Sequence, residues 1–151
     1  FGWQTTPLQV LRAYGALATG GTLWHPHLIP NTVGTADRIE LDPDTLRVIQ
    51  EAMHMTTNYP GGTARGLEKD YVKIAAKSGT AEVGAGNQFV NSWAAGFWPY
   101  EEPEYAFVLM MERAPRENTL GATTIMGWAM DWIHEHRPEY LPPEPEDAVS
   151  D

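Results

Sequence analysis

The chain contains no cysteine among its 151 residues, which excludes a disulfide framework and thiolate chemistry and leaves the redox compartment open. It has no apolar run near the roughly 18 residues that mark a membrane-spanning helix. Its opening, "FGWQTTP", lacks the basic start and apolar stretch of a secretory signal. Basic side chains are scarce: 10 Lys and Arg stand against 20 Asp and Glu, a formal charge of −10. Such a surface repels phosphate backbones and anionic lipid, so no nucleic-acid partner is expected. Only three serines occur, Ser78, Ser92 and Ser150, and none has a lysine three positions on. The chain does not begin with methionine and reads as a piece of something longer.

What is present suffices for one core. With 42% hydrophobic residues and 20% charged ones, a chain of this length supports a single globular unit rather than two. The stretch "TTPLQVLRAYGALATGG" carries Thr6 at an N-cap, Pro7 at the first helical position, Gln9 placed to complete a capping box, and Gly20-Gly21 as a stop. Leu8, Leu11, Gly15 and Ala18 share a face with Val10, Tyr14 and Leu17 beside them, which predicts a buried helix of about three turns. Residues 22–41 alternate short apolar runs with Pro, Asn and Gly, predicting brief extended pieces and turns. A second helix is expected from Asp42-Pro43, burying Leu46, Ile49 and Met53 and ending near "NYPGG".

From Val72 the apolar period becomes that of strands. Three antiparallel strands are expected near 73–82, 92–98 and 104–112, joined by "VGAGNQFVN" and the acidic "PYEEPE" as a meander. Ile125, Trp128, Ala129, Trp132 and Ile133 then recur at helical spacing, so a last helix should lay this face across the sheet. The expected fold class is α+β: a three-stranded antiparallel sheet with a C-terminal helix packed on it and N-terminal helices nearby. The domain is expected to run over 1–137, and the acidic, Pro-rich tail 138–151 to be disordered, because it offers too little apolar surface to offset its ordering entropy.

One charge interrupts an apolar strand: Lys77 in "VKIAAKSGTAEVGAG". Two readings stand. Lysine on an exposed edge strand deters aggregation. Alternatively, Lys77 supplies a fixed cation, Ser78 and Thr80 supply hydroxyl donors, and Gly79 lets a substrate backbone lie close, an arrangement suited to binding a carboxylate. An exposed strand can also pair with an extended peptide and aim one backbone N–H at a developing oxyanion. Other candidates read as structural. His25 and His27, and His134 and His136, are spaced i, i+2 rather than i, i+4 and lack a third ligand, so no metal site is expected. Trp93 and Trp98 suit either a groove or the core, with the core favoured. Glu101, Glu102 and Glu104 fall in a turn and are expected to be solvated. Gly61-Gly62-Thr63 lacks the ending of a phosphate loop, and Met53, Met55, Met110 and Met111 are expected to fill the core.

The order of "TPLQVLRAYGALATGGTLWHPHLI", "GGTA", "AAKSGTAEV" and "SWAAGFWPYEEPEYAFVLMMER" resembles the transpeptidase domain of class B penicillin-binding proteins, from the first residues to about Arg137. The resemblance implies a serine-type D,D-transpeptidase that cross-links the stem peptides of peptidoglycan and is acylated by β-lactam antibiotics. It implies no cofactor. The family's companion motifs, Ser-x-x-Lys and a Ser-x-Asn triplet, do not occur here. In the family they precede the "TPLQ" helix, so the chain is expected to be the C-terminal part of the domain and, lacking a nucleophile, inactive alone. By resemblance Lys77 holds the substrate carboxylate and tunes proton transfers, Ser78 and Thr80 bond the same carboxylate, Gly79 permits close approach, and the Thr80 N–H forms half of an oxyanion hole. Ser78 stands where the family more often has Thr and keeps the hydroxyl.

The strand segments favour the elongation-type subclass over the division type. Expected partners are the stem peptide, β-lactams, the missing N-terminal half of the domain and the cell-wall elongation machinery. The parent is expected on the outer face of the bacterial cytoplasmic membrane, anchored by an N-terminal helix that this chain does not include. Two readings from other classes are a non-catalytic peptide or β-lactam-binding module and an inactive structural fragment.

Overall fold

The computed structural model describes residues 4–30 and 32–143. Helix α1 (Pro7–Ala18) begins with the expected capping box: the Thr6 hydroxyl accepts the Gln9 N–H, and the Gln9 side-chain oxygen accepts the Thr6 N–H at 2.8 Å. Contrary to the expected buried helix, only Ala16 is buried and Leu8 is 52% exposed. Only the side carrying Tyr14, Leu17 and Ala18 meets the core. After the Gly20-Gly21 stop, β1 (Thr22–Trp24) and β2 (Ala36–Arg38) form a small antiparallel pair.

Helix α2 (Pro43–Asn58) starts at Asp42, whose carboxylate accepts the Thr45 N–H at 2.8 Å. Its buried residues are Met53 and Thr57, whereas Ile49 and Met55, expected inside, are exposed. A single 3-10 turn at Arg65–Leu67 follows, with Ala64 and Leu67 wholly buried.

The expected meander is present. Strands β3 (Ala75–Val83), β4 (Phe89–Trp98) and β5 (Tyr105–Pro115) form one antiparallel sheet in that order. The register sets Lys77 opposite Ala95 and Gly79 opposite Trp93. Residues alternate between the two faces of a strand, so Ala76, Ala94, Trp98 and Phe107 pack on one side with the 3-10 turn and helix α3 (Ala122–His136). Ala75 and Phe97 pack on the other with Met53 and α1.

Helix α3 does cross the sheet, but with only part of the expected face: Ala129 and Ile133 pack against the core, half-buried, and the two tryptophans do not. Ala122, Met126, Gly127 and Met130 are buried, while Trp128 and Trp132 are 56% and 54% exposed. The reason is backbone proximity: a Cβ on Gly127 would lie 2.1 Å from the Gly66 carbonyl oxygen, so the helix approaches most closely on its glycine side and turns the tryptophans outward. Past Arg137 the chain continues in contact with the core. Pro138–Tyr140 form a 3-10 turn, the Trp98 indole N–H donates to the Tyr140 carbonyl at 2.9 Å, and Leu141 packs on the apolar cluster. Tyr140 and Leu141 supply apolar surface that the polar average of 138–151 hides, so the start of the expected tail is ordered. Residues 144–151 of that segment lie outside the described residues.

Candidate functional site

Strand β3 lies at a sheet edge, and helix α2 covers only its first part. The Thr57 hydroxyl donates to the Ile74 carbonyl at 2.6 Å and the Thr56 hydroxyl donates to the Ala76 carbonyl at 2.5 Å. Those carbonyls therefore point away from β4. In an antiparallel ladder every second residue directs its N–H and C=O the same way, which turns the backbone groups of Ser78 and Thr80 toward the same open edge. No strand among the described residues pairs with it.

The Lys77 side chain is exposed at this edge and donates to the Ser78 carbonyl at 2.6 Å. It has no carboxylate partner among the described residues, although seven ion pairs of Lys or Arg with a carboxylate form elsewhere among them. Two concavities flank it. One, of about 260 Å³, runs over Ser78, Gly79, Trp93 and Tyr14, and the other, of about 330 Å³, lies between Tyr14, Met53 and Thr56. Burial pushes the Tyr14 hydroxyl above the usual phenol range, so it stays a neutral hydrogen-bonding group between the two. An unpaired ammonium beside free backbone donors and two grooves can receive an anionic peptide end, in a chain otherwise strongly acidic.

The four residues expected to act together divide between two faces. Lys77 and Gly79 face α1 with Ala95 and Trp93, and Ser78 and Thr80 face the other side with Ala94 and Ser92. They converge only along the edge, where Lys77, Ser78 and Gly79 line one groove, while Thr80 is exposed beyond it. A Cβ on Gly79 would stand 3.4 Å from that of Trp93, an ordinary contact, so the missing side chain chiefly keeps the groove floor open. Sequence reasoning missed Thr63, whose hydroxyl accepts that of Ser78 at 2.8 Å. Its signal was the "GGTA" block, which has no chemistry of its own until α2 and β3 are brought together.

The remaining candidates are otherwise engaged. His25 pairs with Asp37 at 2.9 Å, His134 stacks on Tyr71 and His136 on Trp132. Glu101 is not simply solvated but pairs with Lys73 at 2.7 Å. Trp98 is core and Trp93 is half-buried along the groove. No described helix is long and apolar enough to cross a membrane.

Residues 1–130 match the penicillin binding protein transpeptidase domain. The peptidoglycan D,D-transpeptidase MrdA of Salmonella typhimurium is 28% identical over 169 residues, an alignment covering 94% of this chain and 27% of that protein. Among solved structures, penicillin-binding protein PBP2 of Helicobacter pylori aligns with a TM-score of 0.69 at 28% identity, over 87% of this chain and 24% of that one. The same protein in complex with MreC aligns at 0.70 and 26%, over 87% and 25%. The chain spans about a quarter of the length of the curated relatives it matches. By this match over most of its length, the α+β fold it shares with PBP2 and the Lys-Ser-Gly-Thr edge strand, the chain belongs to the penicillin-binding protein transpeptidase family.

Proposed function

We propose that the protein carrying this chain is a D,D-transpeptidase of peptidoglycan synthesis, of the elongation type. The observation that carries this reading is the Lys77 ammonium, free of any described carboxylate and set between two grooves beside an unpaired strand edge. A stem peptide lies along β3 with its terminal carboxylate held by Lys77 and the hydroxyls of Ser78 and Thr80. A serine outside residues 1–151, assisted by its own lysine, attacks the penultimate carbonyl, whose oxyanion the Thr80 N–H helps to bind. The C–N bond to the terminal residue breaks as the ester forms, the departing amine takes the proton, and an acceptor amine then displaces the serine. A β-lactam acylates the same serine and stays attached.

The elongation-type preference follows from the likeness to MrdA and PBP2, and PBP2 is seen with MreC, so the elongation machinery is the partner we assign. In this reading an N-terminal helix outside residues 1–151 tethers the protein, and the domain faces the periplasm. A fluorescent penicillin should label the full-length protein covalently, and Lys77→Ala should abolish labelling without shifting its thermal midpoint. Retained labelling in that variant would remove the role assigned to Lys77; an unlabelled wild type would favour a non-catalytic module.

A further inference from the structure

Thr63 is exposed and belongs to no part of the core, yet its position is tightly specified. The Thr56 carbonyl accepts the Ala64 N–H at 2.9 Å, and a Cβ on Gly62 would stand 2.3 Å from that same oxygen. Ala64 is wholly buried. The Thr56 hydroxyl meanwhile holds the Ala76 carbonyl. One residue of α2 thus anchors both the turn that carries Thr63 and the strand that carries Ser78, and their hydroxyls meet at 2.8 Å. Among the described residues this is the only side-chain hydrogen bond that Thr63 makes.

A hydroxyl is both donor and acceptor, whereas a carboxylate only accepts. With the edge empty, Ser78 donates to Thr63. When a carboxylate arrives, the Ser78 proton must turn to it, and Thr63 can then donate to the Ser78 oxygen, each link polarising the next. We propose that Thr63 is a positioning residue: it holds the Ser78 hydroxyl in the one rotamer that serves an anionic ligand and strengthens it as a donor. This inference rests on the functional reading above and adds to it a residue that need not touch the ligand.

The test is the second-order rate of acylation of the full-length protein by benzylpenicillin in wild type, Thr63→Val, Thr63→Ser, Ser78→Ala and the Thr63→Val/Ser78→Ala double variant. Thr63→Val should slow acylation about three- to tenfold, the worth of one hydrogen bond, and Thr63→Ser should restore it. In the Ser78→Ala background Thr63→Val should cost nothing more, because the residue acts through Ser78. An equal loss in both backgrounds would reveal a merely structural threonine and overturn the inference, as would a Thr63→Val or Ser78→Ala variant at the wild-type rate. If wild type is labelled and Lys77→Ala is dead, those outcomes leave the functional reading standing; a wild type that takes no label overturns both.

Discussion

The hydroxyl of Thr57 lies 2.6 Å from the carbonyl oxygen of Ile74, and both residues are closed to solvent. With Thr56 and Ala76 one step along, it fastens the last turn of α2 to the edge of β3 and so decides where the open part of that edge begins. Replacing Thr57 by the near-isosteric Val leaves the Ile74 carbonyl without this donor in a dry site, at a cost of about 1–3 kcal/mol. Urea unfolding of the protein should show that loss with an unchanged slope. An unfolding free energy equal to wild type would mean that the bond contributes nothing.

Gly127 and Gly66 bring α3 and the 3-10 turn into backbone contact. Alanine ordinarily stabilises a helix interior by about 1 kcal/mol relative to glycine. Here the sign should reverse, because the added methyl would overlap the Gly66 carbonyl, and overpacking of this kind costs about 1–3 kcal/mol. Gly127→Ala should lower the thermal midpoint, while Trp128→Ala, on the exposed side, should move it far less.

His54 stacks on Tyr100 with ring centroids 4.3 Å apart, and its buried Nε2 has no hydrogen-bond partner among the described residues. Burial is the main cause that holds its pKa below the ordinary value; Lys73 acts the same way, and Glu101 and Glu51 oppose it. Because the folded-state pKa is depressed, the unfolded chain takes up the proton first as pH falls. Stability from this group is therefore present above the unfolded value of about 6.5 and lost as pH drops below it. His54→Phe keeps the stack and removes the titration. Its thermal midpoint should exceed that of wild type by more at pH 5 than at pH 8, and parallel pH profiles would refute the assignment.

Short-range signals account for what could be read in advance. Thr6 with Gln9, and Asp42 with Thr45, are caps closed within three residues of chain, and both form. The three strands are set by period-two alternation and by the turns between them, and they pair in the expected order. The faces of the helices were not legible in the same way. In α3 several apolar stripes compete, and the glycine contact with Gly66 chose the side carrying Met126 and Met130 over the one carrying Trp128 and Trp132. Met55 fits an apolar stripe and still faces outward, and Ile49, on the Met53 side, lines the groove beside Lys77 at 38% exposure, since α2 meets the sheet mainly through Met53, Thr56 and Thr57.

The amino-acid order by itself determined which segments become helices and strands, with the strand ends falling within three residues of those expected, and that a lysine, two hydroxyls and a glycine stand in succession on one strand, because caps, turns and alternation act between neighbours in the chain. Only the tertiary structure decided that Lys77 meets grooves instead of a carboxylate, that Ser78 finds Thr63, and that α2 stops short along the β3 edge. The last two relations join residues 15 to 20 positions apart, the grooves beside Lys77 draw on Tyr14 from farther still, and nothing local to any of these partners specifies them until the core has brought them together.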